Sequence, residues 1–240
     1  MNIEELNKPK LKRVAMNCDD VIDMKLTKYP MVDDLWSRSS FNTIVGKQGQ
    51  GKTSLITNLI KKVFKGCYNN IYVFIPENSR ASIENDIYGR HLPDECLYND
   101  LTEENLHEVY EKMKESSSNG EHSLLLIDDF QVSLKDPSVI AVLQKIVTEM
   151  RHLRTTIFLL QQNFQALAKK LRELISNVIT FNVGKSQLNK MFDEIIQLDK
   201  DKYQQLIDFS FKEKNDWIAI NINGNRNIYR MFDKIIFDNK

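Results

Sequence analysis

The sequence predicts an α/β fold in which helices flank a central, mostly parallel sheet. Three observations predict it. Short apolar segments of strand length alternate with longer segments whose apolar residues recur at helical spacing. A glycine-rich loop joins the first of these strands to a helix. A later run of consecutive apolar residues, Leu124–Ile127, ends in two aspartates, and such a run is typical of a central parallel strand because both of its faces are covered.

Composition sets the limits on function. The chain has 240 residues, enough for one α/β domain with a sizeable core. Lys plus Arg and Asp plus Glu both total 33, so any contact with DNA must be local or be created by oligomerisation. We expect neither a secretion signal nor a membrane-spanning segment, because the apolar runs that these require are missing. Cys18, Cys67 and Cys96 lack CxxC spacing and are predicted to be free thiols in a reducing compartment.

The chain begins with a polar stretch of mixed charge, residues 1–36, which has a basic cluster around Pro9. This pattern predicts an N-terminal arm. The arm is either a solvated tail or a segment that reaches a neighbouring subunit or a phosphate backbone. Residues 37–240 carry the strand and helix patterns and are predicted to form the main domain.

The first strand, Phe41–Val45, runs into a loop that fits G-x-x-x-x-G-K-[ST], the phosphate-binding loop of nucleoside triphosphatases. We expect its three glycines to adopt backbone angles closed to other residues, so that N–H groups point at phosphate oxygens. Lys52 is predicted to reach the β- and γ-phosphates of ATP, and the Thr53 hydroxyl to bind Mg²⁺. Apolar residues at helical spacing follow, which predicts that the phosphates lie at a helix N-terminus. The residues predicted to bind ATP are Gly46, Lys47, Gln48, Gly49, Gln50, Gly51, Lys52, Thr53 and Ser54.

A second buried strand is predicted over Ile71–Ile75, where Pro76 stops it. The stretch 77–101 is polar, and we expect it to be irregular. Thr102 is the predicted N-cap of a helix that ends in the polar loop Ser116–Gly120.

An acidic pair, Asp128 and Asp129, ends the predicted central strand. An apolar strand followed by an acid describes the second metal-associated motif of these ATPases. We expect Asp128 to hold Mg²⁺ and Asp129 to accept a proton from the attacking water. A strand that ends in a turn would also explain the pair, but its position roughly 75 residues after the phosphate loop favours the catalytic interpretation.

A helix is predicted to start at Asp136-Pro137, with aspartate as N-cap and proline at the first helical position. The strand Thr156–Leu160 follows and ends in the amides Gln161, Gln162 and Asn163. This order suggests the RecA-like class, in which an additional strand lies beside the phosphate loop. There Gln162 would contact the γ-phosphate or orient the water, although amides that merely close a strand fit the pattern equally well.

The C-terminal third predicts another strand, Val178–Phe181, and a helix with an apolar face. The segments Trp217–Ile222 and Ile228–Phe232 alternate in polarity around Asn223-Gly224. That dipeptide between alternating segments predicts a β-hairpin, which we place at the edge of the sheet.

One stretch, Arg151–Phe181, resembles a specific family. An arginine-rich turn leads into an apolar strand, a glutamine, a short link and an arginine, as in FtsK–HerA superfamily ATPases. Within that superfamily it is most similar to the DNA-packaging ATPases of poxviruses and other large DNA viruses, which carry Q-x-aromatic-x-x-L-P-K-x-[IL]-R. Ala168 stands where the family has proline, and Leu174 stands where it has asparagine. The matching residues are Gln162, Phe164, Leu167, Lys169, Leu171 and Arg172.

The resemblance implies an ATP-driven motor that moves double-stranded DNA into a viral capsid and works as a homo-oligomeric ring, either a hexamer or a pentamer. Its cofactors would be ATP and Mg²⁺, and its partners would be DNA and capsid or portal-region viral proteins. It would act in the host cytoplasm at viral assembly sites or within the virion. An arginine from a neighbouring subunit would complete the site, and we favour Arg151 or Arg154 over Arg172 for that role.

Other classes of nucleotide-binding protein fit less well. A GTPase would have D-x-x-G after the second strand, but Asp128 begins a segment without that glycine. The signatures of ABC ATPases are missing, and the long C-terminal elements disfavour a small-molecule kinase. A DNA helicase or translocase that is not tied to packaging stays open. A non-catalytic nucleotide-binding scaffold also stays open, although Lys52, Thr53 and the pair Asp128-Asp129 favour an enzyme.

Overall fold

The fold is known from a computed structural model, which describes residues 36, 39–83, 86–196, 200–222 and 227–236. The strands are β1 (Phe41–Val45), β2 (Asn70–Phe74), β3 (Leu97–Tyr98), β4 (Ser123–Asp128), β5 (Thr155–Gln161), β6 (Asn177–Phe181), β7 (Trp217–Asn221), β8 (Ile228–Arg230) and β9 (Asp233–Ile235). The helices are α1 (Lys52–Asn58), α2 (Glu77–Ala81), α3 (Ile87–His91), α4 (Glu103–Ser118), α5 (Pro137–Glu149), α6 (Lys169–Arg172), α7 (Lys185–Ile195) and α8 (Lys200–Ser210). A π-helical turn, Leu59–Val63, continues α1.

All nine strands belong to one sheet, in the order β3-β2-β4-β5-β1-β6-β7-β8-β9. The pairs from β3 to β6 are parallel, and the three that follow are antiparallel. The strand β1, which carries the phosphate loop, lies between β5 and β6, with Phe41 opposite Ile157 and Asn42 opposite Asn177. The additional strand β5 therefore separates β1 from β4. This order confirms the predicted RecA-like α/β fold.

Apolar residues cover both faces of the sheet, because neighbouring side chains of a strand point to opposite sides. Within β1, Phe41 and Val45 join the core under α4, α5, α7 and α8, whereas Ile44 joins the core under α1. The central strands are buried along their whole length. This double burial explains why the sequence shows continuous apolar runs rather than alternation.

The C-terminal strands bear out the predicted hairpin and add one strand to it. β7 and β8 pair antiparallel, with Ala219 opposite Tyr229. β9 then pairs with β8 and forms the edge of the sheet. The dipeptide Asn223-Gly224, which predicted the turn, lies outside the described residues.

Two predictions about local structure are wrong. The stretch 77–101, predicted as irregular, contains α2, α3, a 3₁₀ turn and the short strand β3. One of these short helices, α3, is stabilised by a local cap, since the Asp86 carboxylate accepts hydrogen bonds from the backbone N–H groups of Tyr88 and Gly89. The helix α4 also continues to Ser118, two residues beyond the predicted start of its terminal loop.

Three further predictions concern the N-terminal arm, the cysteines and membrane-spanning segments. The N-terminal arm falls almost entirely outside the described residues, as does Cys18. Cys67 is buried and Cys96 half-buried, and neither forms a disulfide with a described residue. No helix in the described part of the chain is long and apolar enough to cross a bilayer.

Candidate active site

An open cleft of about 580 Å³ lies where β1, β4 and β5 end, at the carboxyl edge of the parallel strands. Ligands bind at this edge in open α/β sheets, beside the point where the strand order reverses. The predicted ATP-binding residues that line the cleft are Gln48, Gly49, Gly51, Lys52, Thr53 and Ser54. The acidic pair and Gln162 line it as well.

The glycines of the phosphate loop have two different reasons to be glycine. Gly49 and Gly51 have φ of 74° and 96°, which are left-handed values that L side chains rarely adopt. Gly46 does not have a positive φ, so the expectation of an unusual backbone there is wrong. A Cβ on Gly46 would lie 2.9 Å from Cδ2 of Phe181, so this position requires space rather than conformational freedom.

Gln50 ties the phosphate loop to the segment after β6, a role that its place in the motif did not predict. Its side-chain oxygen accepts a hydrogen bond of 2.6 Å from the backbone N–H of Lys47. Its amide nitrogen donates to the carbonyl oxygen of Asn182 at 2.8 Å. The loop is thus held in shape by a segment that follows it by more than a hundred residues.

The Lys52 ammonium turns back onto the loop. It donates hydrogen bonds to the carbonyl oxygens of Gly46 at 2.8 Å and of Lys47 at 3.2 Å. Burial lowers the pKa of Lys52 from its ordinary value, although Asp128 and Asp129 oppose this change. A phosphate in the cleft would add a further negative charge and favour the charged ammonium.

Thr53 and Asp128 meet although 75 positions separate them, with the Thr53 hydroxyl donating to Oδ2 of Asp128 at 2.7 Å. Asp128 is only 4% exposed. Burial raises its pKa above the ordinary value, and the Thr53 hydroxyl and Lys52 oppose this rise. A buried carboxylate beside a hydroxyl supplies the hard oxygen ligands and the negative charge that Mg²⁺ prefers, so these residues fit the ion.

Asp129 is exposed in the cleft, and its backbone is left-handed with φ of 64°. Its Oδ1 accepts a long hydrogen bond of 3.5 Å from the Gln162 amide, and its Oδ2 accepts one of 3.2 Å from the Ser79 hydroxyl. Gln161, the neighbouring amide, turns away and donates to the Thr43 hydroxyl at 2.8 Å in the core. Of the two adjacent glutamines, Gln162 therefore faces the cleft.

The far wall of the cleft contains residues that the sequence patterns did not single out. Ser79, Ser82 and Ile83 line it from the segment that follows β2. On α1, Thr57 lines it and exchanges a hydrogen bond of 3.1 Å with the hydroxyl of Tyr88, whose pKa is raised mainly by burial. No sequence pattern marks the residues after β2 as part of the cleft. They could be found only from the strand order, because β2 lies beside β4 and its carboxyl end is therefore near the acidic pair.

Two of the three candidate arginines lie far from this cleft. Arg151 and Arg154 precede β5 and lie at the amino end of the parallel strands. The seven residues of β5 span about 20 Å at roughly 3.3 Å per residue. The Arg154 guanidinium donates to the carbonyl oxygen of Gly120 at 3.2 Å, and Arg151 is exposed. Neither arginine can reach the cleft of its own chain.

Arg172 is engaged in the turn that follows β5. It forms an ion pair of 2.7 Å with Glu194, and its side chain is 12% exposed. It also donates to the carbonyl oxygens of Gln165 and Leu167 and lies 5.7 Å from the ring centre of Phe164. These contacts hold the link between the strand and α6.

The phosphate loop, the acidic pair and the facing glutamine thus share one cleft, as in a nucleoside triphosphatase. A family model described as Poxvirus A32 protein matches residues 32–233 of the chain. The chain belongs to the Poxvirus A32 protein family. This membership confirms the resemblance found at Arg151–Phe181: the protein is a P-loop ATPase of the FtsK–HerA type, and its class of function is genome packaging.

Two of the similar solved structures are viral packaging proteins. The A32 family chain is similar to B204, the DNA-packaging ATPase from Sulfolobus Turreted Icosahedral Virus, with a TM-score of 0.62 and 16% identity over 80% of this chain and 96% of that chain. It is also similar to the genome packaging NTPase B204 from Sulfolobus turreted icosahedral virus 2 in complex with ATP-gammaS, with a TM-score of 0.61 and 14% identity over 83% and 100% of the two chains. No curated protein sequence matches significantly.

Proposed function

We propose that this chain hydrolyses ATP to move double-stranded DNA into a viral capsid, working as a ring of identical subunits. The observation that carries the proposal is the meeting of Lys52, Thr53, Asp128, Asp129 and Gln162 in one cleft. These residues come from three separate segments of the chain. Membership in the Poxvirus A32 protein family and the common fold with packaging ATPases of other viruses support it.

Hydrolysis would be in-line attack by water on the γ-phosphate of ATP. The loop N–H groups and Lys52 bind the phosphates and balance the charge that develops on them. Asp129 accepts the proton of the attacking water, and Gln162 orients that water beside the same carboxylate. Mg²⁺, held by Thr53 and Asp128, would supply further charge neutralisation at the phosphate oxygens.

A neighbouring subunit would complete the site. Phosphoryl transfer gains from a cation supplied across an interface. Arg151 and Arg154 lie at the amino ends of the parallel strands, whereas the cleft of their own chain lies at the carboxyl ends. This position supports their action on a neighbour's nucleotide. Arg172 is less suited, because Glu194 and two backbone carbonyls already engage it.

The partners follow from the same proposal. DNA would be bound locally or within the ring, because basic and acidic residues are equal in number across the chain. Capsid or portal-region proteins would dock the ring on the particle. The protein would act in the host cytoplasm at viral assembly sites or within the virion.

The experiment is steady-state ATP hydrolysis by the purified chain with and without double-stranded DNA. Lys52→Ala should reduce turnover by about a hundredfold or more, because it removes a preorganised charge beside the transferred phosphate. Lys62→Ala, an exposed lysine on the turn after α1, is the matched control and should keep wild-type turnover. Near-normal hydrolysis by the Lys52 variant would contradict the assignment. Hydrolysis that DNA does not change would favour an ATPase without a DNA substrate.

A further inference from the structure

Ser79 lies beside the acidic pair because of the strand order. β4, which ends in Asp128, lies between β2 and β5. The segment after β2 and the segment after β5 therefore approach Asp129 from opposite sides. The first brings the Ser79 hydroxyl to 3.2 Å from Oδ2, and the second brings the Gln162 amide to 3.5 Å from Oδ1.

Asp129 needs such contacts to keep a defined orientation. It is exposed, so packing does not fix its side chain. Its left-handed backbone, with φ of 64°, is uncommon for a residue other than glycine. The Gln162 hydrogen bond is at the long limit of such contacts, whereas the Ser79 bond is shorter. Ser79 therefore provides the better-defined restraint on this carboxylate.

The geometry around Ser79 does not suggest a mainly structural role. The helix α2 has no buried residue. Its other side-chain contacts with described residues lie within its own segment, such as the ion pair of 3.5 Å between Arg80 and Asp86 and the hydrogen bond from the Ser82 hydroxyl to the Ser79 carbonyl. The Ser79 hydroxyl is thus directed at the cleft rather than at the core.

We propose that Ser79 is a positioning residue for hydrolysis, which holds the Asp129 carboxylate so that its other oxygen and Gln162 face the attacking water. This inference rests on the proposed ATPase function and adds a residue to it. Each carboxylate oxygen then has one assigned donor, one from either side of β4. Ser79 acts through Asp129 and does not bind the nucleotide itself.

The test compares Ser79→Ala with Ser79→Thr, which keeps the hydroxyl. Ser79→Ala should lower kcat about tenfold with KM for ATP changed less than twofold, because the loss of one hydrogen bond to a charged group affects the chemical step only. Ser79→Thr should restore at least half of kcat. Asn78→Ala, an exposed change on the same helix, is the matched control and should match wild type. The thermal midpoint of the Ser79→Ala protein should not fall, because alanine has a higher helix propensity than serine.

A second arm removes the carboxylate. In an Asp129→Asn background, Ser79→Ala should cause no further loss of kcat, because the group that it positions is already changed. Wild-type kcat in Ser79→Ala, a rise in kcat, or an additional tenfold loss in the double variant would each overturn the inference. A wild-type protein that does not hydrolyse ATP, or Lys52→Ala with full activity, would instead overturn the proposed function.

Discussion

Asp128 and Asp129 are neighbours in sequence, yet their surroundings differ completely. Asp128 ends the buried strand β4 and is 4% exposed, with its oxygen on the Thr53 hydroxyl. Asp129 turns into the left-handed region and is exposed in the cleft, where it meets Ser79 and Gln162. The first carboxylate fits a metal ligand and the second fits a group that acts on water.

The two aspartates should therefore fail differently when each is changed to asparagine. Asp128→Asn should weaken Mg²⁺-dependent binding of ATP, because the buried negative charge beside Thr53 is lost. Asp129→Asn should still bind ATP but lose about a hundredfold or more in turnover, the usual contribution of a positioned general base. Calorimetric binding of ATP with and without Mg²⁺, measured beside turnover, tells the two variants apart.

Asp193→Asn provides the control, since it removes an exposed carboxylate on α7 that lies outside the cleft. It should leave binding and turnover unchanged. If both cleft variants bind and turn over like wild type, the acidic pair only ends a strand.

Sequence reasoning at the residue scale succeeded where a motif fixes a spacing. The loop pattern placed Lys52 and Thr53 in the cleft, and the apolar run placed the acidic pair opposite them. It could not identify Ser79 or the structural role of Gln50, because these depend on which strands are neighbours in space. Ser79 stands in no distinctive local pattern, and Gln50 occupies a variable position of the loop motif.

At the scale of an element, the link from β5 to α6 contains a departure from the packaging-ATPase motif that the sequence resembles. Ala168 stands where the packaging ATPases have proline, and its φ and ψ are −54° and 134°. Leu167, which precedes it, is extended with φ of −71° and ψ of 135°. None of the described residues accepts a hydrogen bond from the Ala168 N–H. The backbone of this link is thus compatible with proline although the residue is absent.

Ala168→Pro should accordingly be tolerated and should raise the free energy of unfolding by about 0.4–1 kcal/mol, because proline restricts the unfolded chain. ATP turnover should remain unchanged. Chemical denaturation of the two proteins measures the difference. Ala166→Pro is a suitable comparison, since the Ala166 N–H donates a hydrogen bond to Asn163 that proline would remove. A destabilised Ala168→Pro protein would mean that the proline ring clashes with its neighbours.

Elements were predicted well where periodicity is long and poorly where it is short. The apolar face of α5 and the continuous runs of β4 and β5 could be recognised because burial on both faces of the sheet leaves a strong pattern. Residues 77–101 gave no such pattern. Their helices have five residues each, too few to show a periodic apolar face, and the Asp86 carboxylate that caps α3 acts locally.

At the scale of the whole molecule, the proposed function uses both ends of the parallel strands. ATP would bind at the carboxyl ends of the parallel strands, whereas Arg151 and Arg154 lie at their amino ends. Two copies related by head-to-tail contact would bring these ends together. Repeated contact of this kind closes into a ring when the rotation between copies permits it.

Complementation between two inactive variants should reveal this arrangement. A protein with Arg151→Ala and Arg154→Ala should lose as much as about 10³-fold in turnover, because the arginine that completes the neighbour's site (the arginine finger) is removed. Mixed with Lys52→Ala, it should regain part of the activity, because one protein supplies intact arginines and the other an intact phosphate loop. Turnover of mixtures at several ratios, with each variant alone as the control, gives the result.

The thermal midpoint of the double arginine variant should resemble that of wild type. This control shows that lost turnover comes from the missing arginines and not from an unfolded protein. No recovery on mixing, together with turnover per chain that does not depend on protein concentration, would rule out a shared site.

The position of β1 in the middle of the sheet also has a consequence for synthesis. This strand leaves the ribosome before the two strands that flank it, and Asn177 of β6 follows its partner Asn42 by 135 positions. Until β5 has been translated, the nascent chain therefore presents an apolar strand without either of its native neighbours, and one edge still lacks its partner until β6 follows. The phosphate loop at its end can take its final shape only after Asn182 is available to Gln50. Ribosome-bound chains that end before β6 should accordingly be unable to retain ATP.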